Sequence, residues 1–448
     1  MGYVLNTADD QGEMLAAIGI SSVGELFANI PPELRLKRAL DIPAGMPEME
    51  LQAHLSAVLG RNKAAGDLVC FLGGGAYDHF IPSVVDVIAG RSEFYTAYTP
   101  YQAEASQGTL QAIFEYQSLM CELTGLGLAN ASLYEGGSSV TEAALMALGI
   151  TKRTQVLVAE TVHPEYRQTL VTYLANLKCE VRTIPCPDGF LNPDDVSAAI
   201  NDSTACVIAQ SPNFFGHLEE MRAIGEAAHK VGALFIASFD PISQGVLKRP
   251  ADYGADIAVA EGQGLGVPLQ FGGPYLGILA CHDEPQYRRK IPGRLVGETT
   301  DRNGKRAWVL TLQPREQHIA REKATSNICS NQGLLALRAA VYLSAVGPQG
   351  LKETAELCVQ KAHYAADQLC QIPGVSLRFK TPFVKEFTIK VPGNVNALLG
   401  KLRAAGYHAG LLLGRWYPAL SDCIAVAVTE KRTKTEIDGL VSALKASL

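Results

Sequence analysis

The sequence predicts an α/β protein with a large domain built on a mostly parallel sheet and a small α+β domain at its C-terminal end. The first observation is a series of short apolar runs separated by helical segments between residues 61 and 315. Such runs are typical of parallel strands covered by helices on both faces. The second observation is a change of pattern near residue 330, where long helical runs begin. We therefore expect domains at residues 1–60, 61–315 and 316–448.

The first 60 residues are expected to form a helical arm that is too thin to fold alone. Its clearest helix lies at 49–59, where Leu51, Leu55 and Leu59 recur at every fourth position. This spacing places the three leucines on one face of a helix.

The large domain is expected to contain six strands and the helices between them. The strand-like runs lie at 155–159, 180–184, 205–209, 233–238, 257–260 and 275–280. Helices are expected at 164–177, 193–200 and 221–231. In parallel sheets, binding sites lie at the carboxyl ends of the strands.

The C-terminal domain shows a different order of elements. Helices are expected at 332–345, 351–371, 395–405 and 434–448. Strands are expected at 375–379, 386–390 and 423–428. Few strands among several helices indicate a small α+β unit.

The composition excludes several classes of protein. The chain has 448 residues, 47% of them apolar, which suits a large core and excludes a disordered or collagen-like chain. Its 39 basic and 45 acidic residues give a net charge of −6, so no nucleic-acid partner is expected. Ten cysteines without zinc-type spacing predict reduced thiols and no metal site. The start of the chain lacks signal-peptide features, and no run suits a membrane helix, so we expect a cytoplasmic protein without a membrane partner.

Four polar segments at the expected strand ends are candidates for chemistry. Gly137 and Ser138 open a helix whose free N–H groups could hold phosphate, or they form an ordinary capped turn. His163 could stack on a flat ring, although a single histidine at a strand end is more often structural. The turn at 210–216 could line a pocket. Asp240 could pair with a ring nitrogen, or it could cap the next turn.

These segments occur in the order found in pyridoxal-phosphate-dependent enzymes of the aspartate aminotransferase type, which the chain resembles. In those enzymes an aspartate pairs with the pyridinium nitrogen and a lysine forms an imine with the cofactor. The lysine should follow the strand at 257–260. Here Glu261, a glycine and Gln263 follow it, and no lysine occurs between Lys248 and Lys290. The resemblance thus implies the fold but not covalent capture of the cofactor.

Further motifs narrow the resemblance. They are Phe-Leu-Gly-Gly-Gly-Ala-Tyr-Asp-His at 71–79, Tyr-Thr-Ala-Tyr-Thr-Pro-Tyr-Gln-Ala-Glu at 95–104, Ser-Gln-Gly at 106–108, Glu-Tyr-Gln at 115–117 and Arg-Glu-Lys-Ala-Thr-Ser-Asn-Ile-Cys at 321–329. Over essentially its whole length, the chain resembles the alpha subunits of two-subunit glycine dehydrogenase (decarboxylating), the P-protein of the glycine cleavage system.

In that family the alpha and beta chains are divergent copies of one fold, and the beta chain carries the lysine and pyridoxal phosphate. The resemblance therefore implies that this chain has no imine-forming lysine. It also implies that five positions are vestiges of a cofactor site, namely Gly137, Ser138, His163, Asp240 and Gln263.

The resemblance further implies that this chain helps to close the partner's pocket through residues 95–104 and 325–329. The candidates are Tyr95, Tyr98, Thr99, Tyr101, Gln102, Glu104, Ser326 and Asn327. The tyrosines could instead be plain packing. Arg321 and Lys323 could bind an anion or form a solvated helix face.

As the resemblance implies, the chain and a beta subunit form a complex, expected to be α2β2. The resemblance implies that this complex decarboxylates glycine on pyridoxal phosphate and transfers the aminomethyl group to the lipoyl arm of H-protein. Two alternatives remain. One is a non-catalytic scaffolding paralogue, and the other is a self-sufficient pyridoxal phosphate enzyme that uses Lys248 or Lys290.

Overall fold

The computed structural model describes residues 5–324 and 326–448. Contacts divide the chain into two compact units, Met1–Asn62 and Lys63–Leu448. The domain boundary expected near residue 315 lies inside the second unit and stays a prediction.

In the first unit, the described residues 5–62 form short helices joined by irregular segments, and none of these residues is buried. Helix α1 (Ala8–Ile18) begins at Thr7, whose side chain accepts the backbone N–H of Asp10, and a short 3-10 helix spans Val23–Phe27. Helix α2 (Glu48–Leu59) corresponds to the predicted amphipathic segment. None of the residues in these helices is buried.

A seven-stranded sheet forms the centre of the second unit. The strands before residue 315 are β1 (Val69–Cys70), β2 (Leu128–Ala129), β3 (Gln155–Ala159), β4 (Glu180–Ile184), β5 (Thr204–Ser211), β6 (Leu234–Phe239), β7 (Ile257–Glu261), β8 (Gly277–Cys281), β9 (Val296–Thr300) and β10 (Arg306–Leu310). The sheet has the order β2-β8-β7-β6-β5-β3-β4, and β8 runs antiparallel to both of its neighbours. The pairs from β7 to β4 are parallel, as the sequence predicted.

Helices cover both faces of this sheet. The helices of this part of the chain are α3 (Ser83–Ala89), α4 (Ser92–Tyr95), α5 (Gln107–Thr124), α6 (Gly136–Thr151), α7 (Pro164–Leu174), α8 (Pro193–Ala199), α9 (Met221–Lys230), α10 (Pro285–Arg288), α11 (Gln317–Ala320) and α12 (Gly333–Leu369). Successive strand residues point to opposite faces. Val259 therefore packs into the core that includes α6, whereas Ala258 and Ala260 pack with α5 and α12.

Helix α12 is interrupted where the sequence predicts a gap between two helices. Gly347 has φ 62° and ψ −177°, and Pro348 follows it. Among the described residues, α12 is also the one helix with the length and apolar composition to cross a membrane. This is a weak indication because core helices meet the same test, and α12 residues such as Leu335, Tyr342 and Leu351 are buried in the protein.

The C-terminal part has its own small sheet. Its strands are β11 (Ser376–Leu377), β12 (Glu386–Lys390), β13 (Tyr407–His408), β14 (Leu411–Leu412) and β15 (Cys423–Ala427), and its helices are α13 (Val395–Ala404) and α14 (Lys434–Ser447). Four strands form an antiparallel sheet in the order β11-β12-β15-β14. Strand β13 pairs with β1 instead, which ties the start of the second unit to this part.

Candidate functional site

Three neighbouring strands of the central sheet deliver polar side chains to one pocket at their carboxyl ends. Gln210 lies near the end of β5, Asp240 follows β6, and Glu261 ends β7. All three line the same pocket. This is the edge at which parallel sheets hold their ligands, and we call it the strand-end pocket.

Asp240 is paired with a lysine from the C-terminal part of the chain. The Nζ atom of Lys385 lies 2.7 Å from Asp240 Oδ1, and only 3% of the lysine side chain is exposed. Ser243 donates to Asp240 Oδ2 from its backbone N–H at 2.9 Å and from its hydroxyl. Burial raises the pKa of Asp240, but the Lys385 ammonium and the Ser243 hydrogen bond outweigh burial and hold this pKa below its usual value. The carboxylate therefore has a cation supplied by its own chain.

Lys385 also connects Asp240 to a buried histidine and glutamate. Its ammonium lies 3.0 Å from His79 Nε2 and 3.8 Å from the centre of the Tyr77 ring. Because an ammonium can only donate, Nε2 accepts and the ring proton sits on Nδ1. Nδ1 lies 2.6 Å from Glu430 Oε2 and donates to it. Burial raises the pKa of Glu430, but the hydrogen bond from His79 is the main effect that brings it down to about 2.

His79, Cys358 and Glu430 bring potential metal-binding atoms to within 4.8 Å of one another. The sequence predicted no metal site, and its residue spacing gives no sign of this grouping. These atoms are already engaged: His79 donates to Glu430, and Cys358 Sγ lies 3.5 Å from the same carboxylate oxygen. Lys385 donates to the other ring nitrogen of His79. The group is a hydrogen-bonded cluster.

The chain's own carboxyl groups occupy the helix N-terminus that the sequence suggested for phosphate. Glu135 accepts the backbone N–H of Ser138 at 2.5 Å and its hydroxyl at 2.6 Å. Glu261 accepts the N–H of Gly136 at 3.0 Å. Burial raises the pKa of Glu261 to about 8 in spite of its backbone hydrogen bonds. Gly137 lies in this first turn and is buried. An acceptor is favoured at this position, and here glutamates provide it.

His163 is also fully engaged within the chain. Its Nδ1 accepts the N–H of Glu165 at 3.1 Å, so Nε2 carries the proton and donates to the carbonyl of Gly74 at 2.8 Å. The ring stacks on Tyr166 at 4.4 Å. Burial lowers the pKa of His163 to about 4, which keeps it neutral near pH 7.

Gln263 lies where an imine-forming lysine would be expected. Its amide nitrogen donates to the carbonyls of Tyr77 at 3.1 Å and Val267 at 2.7 Å. Its amide oxygen accepts the N–H of Tyr77 at 2.8 Å. Gln263 therefore holds the 71–79 segment in place and cannot form an imine.

The strand-end pocket does not fit pyridoxal phosphate. Its cavity volume is about 30 Å³, whereas ligand sites usually offer ~300–1,000 Å³. The aspartate that would face a ring nitrogen is paired with Lys385. Glutamates accept the N–H groups at the N-terminus of α6, and no lysine stands in the segment directly after β7.

Neither lysine considered as an alternative imine former lies in this pocket. Lys248 is exposed and lines a separate cavity of about 230 Å³. Lys290 packs beside Gly149, near the C-terminal end of α6, and the pocket lies at the other end of that helix. The lysine that does line the pocket, Lys385, was missed by the sequence analysis.

A second candidate region is an exposed cavity that the chain's own side chains do not fill. Tyr95, Tyr98 and Tyr101 line a cavity of about 230 Å³ together with Ser330 and Asn331. Tyr95 is 69% exposed and Tyr98 is 93% exposed. The hydroxyl of Tyr101 donates to Asn331 Oδ1 at 2.8 Å, across 230 positions of sequence. We call this group the aromatic surface.

The other residues predicted on residues 95–104 lie on the same exposed segment. Thr99, Gln102 and Glu104 are exposed. The carbonyl of Thr99 accepts the N–H of Tyr101, and the carbonyl of Gln102 accepts the N–H of Ser106, so the backbone folds into consecutive turns before α5.

The second predicted segment leads directly into the aromatic surface. Ser326 is half-buried and its hydroxyl accepts the N–H of Ile328 at 3.1 Å, whereas Asn327 is exposed. Ile328 is buried in the main core and anchors the segment. Thr325 lies outside the described residues. Ser330 and Asn331 were not predicted, although they directly follow the 321–329 motif.

Comparison with a solved structure identifies the class of fold. The alanine–glyoxylate aminotransferase of Nostoc sp. matches with a TM-score of 0.59 and 18% identity, covering 93% of this chain and 98% of that chain. The molecule thus has an α/β fold of the aminotransferase type, and its strand-end pocket is closed by its own side chains.

Closer comparisons identify the family. The family model described as "Glycine cleavage system P-protein" matches residues 1–444. The "Probable glycine dehydrogenase (decarboxylating) subunit 1" of Carboxydothermus hydrogenoformans is 52% identical over 444 residues, 99% of each chain. A crystal structure of glycine decarboxylase (P-protein) of the glycine cleavage system in inhibitor-bound form matches with a TM-score of 0.90 and 42% identity over 100% of both chains. The chain belongs to the glycine cleavage system P-protein family, which confirms the family and the fold class expected from the sequence.

Proposed function

We propose that this chain is one of two kinds of subunit in a glycine decarboxylase and that its partner chain holds the pyridoxal phosphate. The relatives named as subunit 1 of glycine dehydrogenase (decarboxylating) support the enzyme class and the need for a partner. The division of labour rests on one observation, the closed strand-end pocket. There Lys385 pairs with Asp240, and a cavity volume of about 30 Å³ remains.

The proposed overall reaction releases carbon dioxide from glycine and transfers the aminomethyl group to the lipoyl arm of H-protein. Such a transfer requires that the substrate is oriented and that water is kept away, because water supplies a competing proton. Residues on the wall opposite the cofactor can meet both requirements. This wall is the contribution that we assign to the present chain.

The aromatic surface has the chemistry for that role. Tyr95 and Tyr98 combine large apolar rings with hydroxyl tips, which suits an apolar pocket with a few polar contacts. Tyr101 is fixed by Asn331 and by stacking against Arg294, whose guanidinium lies 4.1 Å from the ring centre. A rigid tyrosine beside two exposed ones forms a pre-organised wall. Thr99, Gln102 and Glu104 lie exposed on the same segment, and Ser326 and Asn327 add small polar groups on the segment that leads to Asn331.

The assembly that we propose is an α2β2 complex in the cytoplasm, without nucleic acid or membrane partners. In this scheme each subunit of the present kind serves one cofactor site of its partner. H-protein then approaches a site to which both chains contribute.

The test is reconstitution from separately purified chains. The release of labelled carbon dioxide from carboxyl-labelled glycine is measured with this chain alone, with the cofactor-loaded partner alone, and with both chains, each time with lipoylated H-protein. We expect activity only when both chains are present. Decarboxylation by this chain alone would contradict the proposal and would favour a self-sufficient enzyme.

A further inference from the structure

The strand-end pocket is also where the C-terminal sheet contacts the central sheet. Lys385 immediately precedes β12, and Glu430 follows β15. Asp240 follows β6 of the central sheet, and His79 belongs to the 71–79 segment. The contacts among these four side chains therefore run from one sheet to the other.

One ammonium lies between two acidic groups in this cluster. Lys385 contacts Asp240 directly at 2.7 Å and reaches Glu430 through His79, with 3.0 Å and 2.6 Å for the two steps. The exposed fractions of the side chains are 3% for Lys385, 2% for His79, 15% for Asp240 and 10% for Glu430. Removing one member of a buried charge pair leaves the other without a counter-ion, which is strongly unfavourable.

We propose that Lys385 is a built-in substitute for the missing cofactor. Its ammonium takes over the pairing with Asp240 that a cofactor ring nitrogen makes in pyridoxal phosphate enzymes. The substitution has a structural consequence, because the lysine belongs to the C-terminal sheet. Lys385 closes the strand-end pocket and holds the C-terminal sheet on the ends of β5, β6 and β7 in the absence of a ligand.

Neighbouring contacts support this role. Glu386, the next residue, accepts the N–H of Gly74 at 2.8 Å and the hydroxyl of Tyr77 at 2.9 Å. The Tyr77 ring in turn lies against the Lys385 ammonium. Two consecutive side chains of the C-terminal sheet thus fasten the 71–79 segment over the pocket.

The test is thermal unfolding of the full-length chain, so it does not depend on activity or on the proposed partner. Lys385→Met is compared with Lys390→Met as a control. Lys390, at the other end of β12, makes a 3.0 Å ion pair with Asp422, but the side chains of Lys390 and Asp422 are 55% and 39% exposed. We expect Lys385→Met to lower the Tm by at least ~5 °C and Lys390→Met by less than about 1 °C. Equal shifts would overturn the proposal.

A double variant separates charge pairing from loss of packing. In Asp240→Asn/Lys385→Met the uncompensated carboxylate is removed as well, so we expect at least about half of the lost Tm to return. If Lys385→Met alone fails to fold, the yield of soluble protein is measured instead, and we expect the double variant to recover at least about half of the lost yield. A double variant that is no more stable, or no more soluble, than Lys385→Met would overturn the proposal. The reading of Lys385 as a substitute for the cofactor rests on the proposed function. The unfolding measurement needs neither the partner nor activity, so failure of the reconstitution assay would leave it unaffected and the two failures can be told apart.

Discussion

The strand-end pocket and the aromatic surface differ in whether their polar groups are free. Asp240 in the pocket, and His163 and Gln263 beside it, all have partners within the chain. On the aromatic surface, the Tyr98 side chain is almost entirely exposed. Both regions carry recognisable motifs. A motif thus shows where a site lies, whereas burial and partners decide whether its groups are available to a ligand or to another chain.

The largest effect is expected beside the strand-end pocket, where Gly216 packs against the backbone of Glu386. Gly216 has φ +90°, and a Cβ atom there would lie 1.9 Å from the carbonyl oxygen of Glu386. Gly216→Ala should therefore lower the free energy of unfolding by roughly 3 kcal/mol or more. The control is Gly304→Ala, which has φ +76° but no atom within 4 Å of the added Cβ. Gly304→Ala should lower the free energy of unfolding by only about 1 kcal/mol, measured by denaturant unfolding. Equal losses in the two variants would show that the close contact at Gly216 does not matter.

The next effect concerns the aromatic surface. Tyr98→Ala should reduce turnover of the reconstituted enzyme about 10- to 100-fold, because the proposed wall loses an aromatic ring. The complex of the two chains should still assemble, as measured by size-exclusion chromatography. Val171→Ala removes another exposed apolar side chain, on α7, and should leave turnover unchanged. Unchanged turnover in Tyr98→Ala with an intact complex would favour the scaffolding alternative.

A smaller effect is expected in the pH dependence of stability. Burial raises the pKa of Glu386 from 4.5 to about 7, in spite of its hydrogen bonds to Tyr77 and Gly74. Glu386 in the folded state then binds more protons than in the unfolded state between these values, so its contribution to stability falls as the pH rises from about 5 to 7. Glu386→Gln mimics the protonated form and should be about 1–2 kcal/mol more stable than wild type at pH 8.

Urea unfolding at several pH values measures this change. The wild-type curve should decline across the window, and the Glu386→Gln curve should be flatter. Glu226→Gln, at an exposed position on α9, should follow the wild-type slope. A Glu386→Gln slope equal to that of wild type would contradict the raised pKa of Glu386.

The smallest effect is expected from a single hydroxyl. Tyr101→Phe removes the hydrogen bond to Asn331 but keeps the ring that stacks on Arg294. Loss of one such bond corresponds to about 0.5–1.5 kcal/mol. Turnover should therefore fall by less than about tenfold, which steady-state kinetics can resolve. A loss as large as that of Tyr98→Ala would mean that Tyr101 itself contacts the substrate.

Much of the fold could be predicted because its signals are local. Short apolar runs indicated β3 to β8 within a few residues, and Asp240 follows β6 as expected. The break in α12 at Gly347 also has a local cause, since a glycine with positive φ is followed by a proline. Parallel strands buried on both faces leave a continuous apolar pattern that is easy to recognise.

The filling of the pocket could not be predicted in the same way. Lys385 lies 145 positions from Asp240 and 306 positions from His79, and no local pattern links residues so far apart. Its only sign was a pair of charged residues at the start of a strand, with Lys385 directly before β12 and Glu386 as its first residue. Asn331 lies two positions beyond the 321–329 motif, and its contact with Tyr101 spans 230 positions of sequence.

The most direct test locates pyridoxal phosphate in the reconstituted complex. The complex is reduced with borohydride, the chains are separated, and labelled peptides are identified by mass spectrometry. We expect one cofactor for each pair of unlike chains, attached only to a lysine of the partner. A labelled peptide from this chain, in particular one that contains Lys385, Lys248 or Lys290, would contradict the account.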